Sequence, residues 1–353
     1  MSRVESTSRP QTSIVVVNWN RKALLEQCLA SLAAQTCSDF ELILADNGST
    51  DGSPDVLERF PLPATTLIRN RENLGYTPAV NQGLRAARGA FIALVNNDVV
   101  LDKNWLEEIL RGFGQDSSVG MCACKILLAA PPDVIDKAGH LIYPDGQNYG
   151  RGHGERDQGQ YDRVEESLFP DGAAAAYRAE VFQSAGLFDE DFFAYGDDAD
   201  LGLRVRLCGW RCLYIPTAVA HHYHSATLGI YSPKKVFLVE RNRIWLAAKL
   251  FPWRELLLLP FYSAIRYLYS AWALATRRGD VGQAAREGSM ADLLAAFLKA
   301  QAAALWGLPR MLRKRAELGK RRRIRGKEFR RLLRQHALTA REVTLGKARR
   351  GAA

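Results

Sequence analysis

The chain has 353 residues, 47% hydrophobic and 24% charged, an ordinary globular balance with room for one large domain and an appendage. Six cysteines, at 28, 37, 122, 124, 208 and 212, lack disulfide-framework spacing and imply a reducing compartment; Cys208 and Cys212 read as buried thiols rather than a zinc pair. The net charge of +10 is lopsided: between Arg310 and Arg334 thirteen Lys or Arg face two Glu, a local +11 that leaves the rest near −1.

The first dozen residues hold no apolar run, so no signal peptide is expected and 1–12 reads as a disordered tail. Ser13–Asn18 is a short β-branched run, as expected of a strand buried on both faces of a parallel sheet. A helix over Arg21–Gln35 follows, with Leu24, Leu25, Cys28, Leu29 and Leu32 at helical spacing. Glu41–Ala45 is a second strand ending in the turn-rich Asp46–Gly52, and after a short helix Thr65–Ile68 is a third. Thr77 as N-cap and Pro78 at the first helical position open a helix to about Arg88. Phe91–Val95 is a fourth strand, stopping at Asn96–Asn97–Asp98. This βαβαβαβ order predicts an open α/β sheet whose ligands bind beyond the carboxyl ends of the strands. The polar clusters Asn18–Asn20, Asp46–Asn47 and Asn96–Asp98 all fall there.

From about 120 to 170 the pattern is irregular, with much Gly, Pro and Asp, and predicts a loop-rich acceptor region. Then come the small residues Gly172–Ala176, a helix near Glu180–Ala185, the segment Phe192–Asp200, a helix to about Cys208 and a strand near Cys212–Ile215. Residues 236–308 read as aromatic-rich helices; the run at 256–275 approaches spanning length but is interrupted by Pro260 and Arg266. The expectation is helices in a membrane interface with Arg254 and Arg266 snorkelling, against alternatives of a packed helical subdomain or a true span. The basic segment suits anionic headgroups; with no stacking motif or groove-reading helix, no nucleic-acid partner is expected. The divisions are thus 13–230 catalytic, 231–308 helical extension and 309–353 basic tail.

Neither G-x-G-x-x-G nor G-x-x-x-x-G-K-[ST] occurs, which disfavours a Rossmann oxidoreductase and a P-loop phosphotransferase. Acidic groups at strand ends without a glycine-rich phosphate cradle leave a divalent cation to carry the phosphate's charge, and carboxylate ligands suit Mg²⁺ or Mn²⁺.

The motifs V-V-N-W-N, A-D-N-G-S-T-D-G, N-x-G-Y, V-N-N-D and F-F-A-Y-G-D-D-A-D-L-G-L-R, in that order, resemble the family 2 inverting glycosyltransferases of GT-A fold. N-W-N and N-N-D resemble the rhamnosyltransferase-type branch, and the likeness covers roughly residues 13 to 230. It implies that Val17 and Asn18, with Asn20, line the nucleoside pocket. Asp46 then accepts from the imide N–H of uracil or thymine, or else caps its own turn. Arg69, Asn73, Gly75 and Asn81 correspond to the donor-flanking loop. Asn96–Asn97–Asp98 stands at the family's D-x-D position with only the last carboxylate kept, so Asp98 is the implied metal ligand and Asn97 a donor contact. Asp198, with Asp197 as alternate, is the implied base for inverting transfer. Ala173 and Ala174 leave room for the acceptor; Asp200 either contacts it or opens a helix. His222 matches the histidine of the family's H-x-x-S-A-T-x-G and would complete the metal or diphosphate site, with His224 as fallback. The function implied is transfer from a dTDP- or UDP-sugar, rhamnose first, to a lipid-linked or glycan acceptor at the cytoplasmic face of a membrane. The rival reading is a membrane-surface scaffold with a degenerate transferase domain.

Overall fold

The computed structural model describes residues 9–223, 232–276 and 289–346; His224 and the S-A-T-x-G stretch after it lie outside these. Strand alternation builds the two-sided core. In β1 (Thr12–Asn18) Ile14 and Val16 enter one apolar layer and Val15 the other. β1, β2 (Phe40–Asp46), β3 (Thr65–Arg69) and β4 (Phe91–Asn96) run parallel in the order β3–β2–β1–β4. Beyond β4 lie β11 (Ala174–Arg178), antiparallel to it, then β6 (Val119–Leu128), β12 (Arg211–His222) and β10 (Glu165–Glu166). β5 (Val99–Leu101) pairs with β12, and β7 (Ile135–Lys137) with β6; β8 (His140–Ile142) and β9 (Asn148–Gly150) form a separate hairpin. Helices α1 (Lys22–Ala33) and α3 (Trp105–Gly114) pack on one face of the sheet. On the other lie α2 (Tyr76–Ala86), α4 (Ala179–Ala185) and α5 (Asp197–Leu207). The register sets Asn18 beside Asp46 and Val17 beside Asn96, so the polar strand ends are neighbours.

Two elements differ from the sequence reading. Helix α2 is capped by Gly75 at φ +94°, a conformation only glycine adopts freely, while the Thr77 hydroxyl donates to the Glu190 carbonyl (3.4 Å). The stretch expected to be loop-rich contains β6, ten residues in the middle of the sheet and almost wholly buried. Lys125 at its centre is neutralised by Asp157 (2.8 Å) and Asp162, and those partners lie more than thirty positions away.

Five helices complete the described chain: α6 (Pro233–Leu250), α7 (Trp253–Ala275), α8 (Met290–Gly319), α9 (Gly326–Gln335) and α10 (Ala340–Leu345). Ser232 caps α6 by accepting from the Lys235 N–H (3.2 Å). Trp245 and Leu246 of α6 join Phe169, Leu203, Ala304 and Met311 in a third core. Gly307 of α8 lets Trp245 approach so closely that a Cβ there would stand 2.5 Å from its ring, and the indole N–H donates to the Ala304 carbonyl (3.1 Å). The basic segment is folded back onto this core: Phe329, Leu332 and Leu333 are buried while Lys320, Arg321, Arg323, Lys327 and Arg331 face solvent.

Arg266 does not snorkel. It is buried between Asp145 (2.7 Å) and Glu240 (2.9 Å), drawn inward by two carboxylates. Arg254 is exposed, and Pro260 sits inside α7 without ending it. The outer side of α7 exposes Leu257 (79%) and Leu268 (71%), and that of α8 exposes Leu305 (65%) and Trp306 (90%). Among the described residues the helix long and apolar enough to cross a membrane is α8 rather than 256–275.

Candidate active site

A cavity of about 790 Å³ opens at the carboxyl ends of β1 and β4, bounded by α5, α6 and the β7–β9 segment. Val17, Trp19, Asn47, Asn73, Gly75 and Asn97 form one wall. Asn97 Nδ2 donates to Asn18 Oδ1 (2.8 Å); Asn18 in turn donates to Asp46 Oδ1 (3.0 Å), Ser49 and Ser53. Asp46 accepts from the Ser49 N–H (3.2 Å) and hydroxyl (2.5 Å), closing its own turn. Asn18, Asn20 and Asp46 therefore stand beneath this wall, outside the cavity lining. Asn20, at φ +57°, pins the same turn by accepting from the Thr50 N–H (2.8 Å). Asn73 Oδ1 accepts from Asn47 Nδ2 and the Gly75 N–H, both at 2.9 Å. A Cβ on Gly75 would stand 2.5 Å from the Phe193 ring, so glycine is required sterically as well as for its φ.

Asp98 and His222 face each other across the cavity's inner end, Oδ1 to Nε2 at 3.5 Å, both buried. Asp98 Oδ1 receives no hydrogen bond of normal geometry, and a buried carboxylate oxygen left that way has a strong demand for positive charge. His222 Nδ1 bonds to Asp136 Oδ2 (2.7 Å), the carboxylate–histidine support that orients metal ligands. Burial works to lower the His222 pKa, yet the bonds to Asp136 and Asp98 raise it to about 9. An inward carboxylate oxygen and an oriented imidazole fit a divalent cation, which would take the place of the imidazole proton between them.

At the opposite side Asp197 and Asp198 open α5 behind Gly196, which is at φ +74°. The Asp198 carboxylate accepts from the Ala199 N–H (2.7 Å) and the Gly172 N–H (3.4 Å). Burial, then the neighbouring Asp198, push the Asp197 carboxyl well above the ordinary range. Burial raises Asp198 too, but His140 and Lys137 pull against it. The loop carrying this pair holds Phe193 and Tyr195 at positive φ (67° and 64°). Asn242 of α6 secures it, donating to the carbonyls of Phe192 (3.0 Å), Ala194 (2.9 Å) and Tyr195 (2.7 Å).

Ala173 lines the cavity, whereas Ala174 lies in the sheet core. Asp200 is turned away, fully buried against Arg204 of its own helix (2.8 Å) and Lys249 (2.7 Å), which joins α5 to α6. Arg69 lies outside the lining and pairs with Asp55 at the surface. Asn81 is also outside it: its amide binds Phe188 and Glu190, tying α2 to the segment before α5. Among the residues sequence reasoning missed are Lys137, His140 and Asp171, which line the cavity beside Asp198; nothing in their local pattern marked them.

The model of the family described as Glycosyl transferase family 2 matches residues 13–184. Residues 13–184 are a family 2 glycosyltransferase domain. The N-acetylglucosaminyl-diphospho-decaprenol L-rhamnosyltransferase of Mycobacterium tuberculosis is 27% identical over 277 residues, 67% of this chain and 87% of that protein. Other relatives align over less of their length: EpsH of Bacillus subtilis is 32% identical over 32% of this chain and 33% of that protein. The O-antigen biosynthesis protein RfbC of Myxococcus xanthus is 30% identical over 62% of this chain and 18% of its own length. The fold of the family 2 domain is GT-A, shared with the mannosyltransferase PcManGT from Pyrobaculum calidifontis, determined with GDP-Man and Mn²⁺. That match has a TM-score of 0.52 and 22% identity and covers 89% of this chain and 86% of the other.

Proposed function

We propose that this chain is an inverting, metal-dependent glycosyltransferase moving a sugar from a nucleoside diphosphate to an acceptor hydroxyl. The observation that carries this reading is one cavity with Asp98 and His222 at its inner end and the Asp197–Asp198 pair across from them. Asp98 and His222 would hold Mg²⁺ or Mn²⁺, steadied by Asp136. Such an ion, when bound, supplies positive charge for a departing diphosphate. Burial pushes both carboxyls of the acidic pair upward, and His140 and Lys137 oppose that rise at Asp198, which favours Asp198 as the base of the two. Asp198 takes the acceptor hydroxyl's proton as that oxygen bonds to the anomeric carbon. The anomeric carbon–oxygen bond to the diphosphate breaks on the opposite face, and the configuration inverts.

A dTDP-sugar, rhamnose first, is the proposed donor, with UDP-hexose or UDP-N-acetylhexosamine second. The mycobacterial relative supports rhamnose and a lipid-linked acceptor. The exposed apolar sides of α7 and α8, with the basic residues of α9, support peripheral attachment to an anionic membrane at its cytoplasmic face. The opposite side of α8 is packed on α6, and Lys314 near its end pairs with Asp191 (2.6 Å), which favours lying on the bilayer over crossing it.

The test is a thermal-shift panel of UDP, dTDP, GDP and ADP, each with Mg²⁺ or Mn²⁺ and again with EDTA. UDP or dTDP should stabilise the protein only with metal, and Asp198→Asn should keep that shift while losing transfer. A melt indifferent to every nucleotide would sink the reading.

A further inference from the structure

The β7–β8 segment, which lies in the stretch the sequence reads as a loop-rich acceptor region, joins the two ends of the cavity. Asp136 Oδ2 bonds His222 Nδ1 (2.7 Å) and lies 3.1 Å from the Lys137 ammonium. That ammonium is 3.2 Å from Asp171 Oδ2, which is 2.8 Å from His140 Nε2. His140 Nε2 is in turn 3.9 Å from Asp198 Oδ2. Carboxylates alternate with imidazole or ammonium groups along the chain, and its members are buried or nearly so.

His140 is fixed on every side. Its ring stacks on Phe169 at 4.8 Å and 17°, and Phe169 is pressed so closely on α5 that a Cβ at Gly202 would lie 2.2 Å from its own Cβ. One phenyl ring thus sets the spacing between His140 and the helix that carries Asp198. His140 Nδ1 is buried with no partner among the described residues, so the ring's hydrogen bonding runs through Nε2, whose N–H donates to Asp171. That N–H faces both Asp171 and Asp198. His140, Asp171 and Asp198 could by spacing alone surround a cation. Lys137 already supplies that charge, and Asp171 Oδ1 accepts from the Ala173 N–H (2.8 Å).

We propose that His140, held by Lys137 and Asp171, is a positioning residue for Asp198, and that Asp136 joins this group to the Asp98–His222 pair. The inference rests on the transferase reading above. Groups facing Asp198 are Asp197 on its own helix, Asp171 and the Gly172 N–H before β11, His140 of β8, Lys137 of β7, Tyr76 of α2 and Tyr177 of β11. Among these His140 and Lys137 favour the carboxylate, while burial and Asp171 oppose it. Loss of the His140 N–H leaves Asp198 less well aimed and protonated to higher pH.

The experiment compares His140→Phe, which keeps the stack and loses the N–H, with His140→Gln, whose amide reaches the Nε2 position. Readouts are nucleotide release from the nucleotide sugar that wild type turns over, followed against pH, and UDP or dTDP binding with Mn²⁺ by calorimetry. Water serves as acceptor if no glycan is accepted. His140→Phe should lower kcat by about 10- to 100-fold, move the acidic limb of the pH profile upward and leave nucleotide affinity within about 2-fold. His140→Gln should regain most of the rate and return the limb. Lys137→Met should weaken both nucleotide binding and kcat, because it loosens Asp136 as well as Asp171. Should the phenylalanine variant not fold, His140→Asn, whose amide stops at the Nδ1 position, replaces it against glutamine. Equal loss of nucleotide affinity in the His140→Phe and Lys137→Met variants, or a His140→Phe variant (His140→Asn in its place) with unchanged kcat and limb, overturns the proposal. A wild type that neither binds nucleotide with Mn²⁺ nor turns over would instead overturn the transferase reading.

Discussion

Glu240→Gln tests whether the buried charges between α6 and α7 stabilise the wall of the cavity. Glu240 accepts from Arg266 (2.9 Å), Arg243 (2.8 Å) and the Tyr267 hydroxyl (2.8 Å). The same arginines hold Asp145, whose neighbour Gly146 lines the cavity. Burial alone would raise the Glu240 carboxyl; Arg266 and Arg243 bring it from 4.5 down to about 2. That lowering corresponds to about 3 kcal/mol of stability. Because the folded pKa is depressed, the contribution is present above the ordinary glutamate pKa and disappears as pH falls through about 2. Glutamine keeps the shape but leaves Arg243 and Arg266 sharing one carboxylate, Asp145, and breaking a buried pair typically costs about 3–5 kcal/mol. Guanidinium unfolding at pH 7 should therefore show the variant less stable by about 3 kcal/mol, with the gap closing below about pH 4. A gap under about 1 kcal/mol at pH 7, or one that persists unchanged into acid, would refute the reasoning.

Asp136→Asn removes the carboxylate behind His222 and should weaken Mn²⁺-dependent binding of UDP or dTDP about 10- to 100-fold, read by calorimetry, with no difference in EDTA. Gly202→Ala forces a methyl against Phe169 and should cost about 1–3 kcal/mol in a denaturant melt. Asn81→Ala removes the amide that ties α2 to Phe188 and Glu190 and should cost about 1–3 kcal/mol by the same measurement. The double change Leu305→Ser, Trp306→Ser should leave stability almost unchanged. It should lower sedimentation with anionic vesicles at least about 10-fold, since each exposed side chain would bury about 1.5–3 kcal/mol of apolar surface in lipid.

The parallel half of the sheet was legible because runs such as Ile14–Val17 state their own burial. β6 was not, since its sequence, VGMCACKILL, mixes small residues with a lysine and Lys125 is tolerable only next to Asp157 and Asp162. Arg266 misled for the same reason: its carboxylates, Asp145 and Glu240, come from distant segments that converge only in the folded chain. At the site, Asp98, Asp197, Asp198 and His222 sit in motifs and fall around one cavity, while Asp200 in the same motif as Asp198, and Asn81 in the expected donor-flanking loop, serve packing. The sequence pattern separates strand-end residues from core ones but not lining residues from the layer behind them. His140 is the extreme case, an isolated histidine in an irregular stretch whose meaning comes from Asp171 and Asp198.

Helix α6 offers Lys235, Asn242 and Arg243 to the cavity, while Trp245 carries α8 and Arg243 and Glu240 hold α7. The cavity's opening and the oily outer surface thus hang from one rod. If that surface sits on a bilayer, the opening stands at one height above it, and α6 is a gauge. An acceptor tethered to the membrane would be selected by how far its hydroxyl reaches from its anchor, a test of length applied before any contact with its sugar.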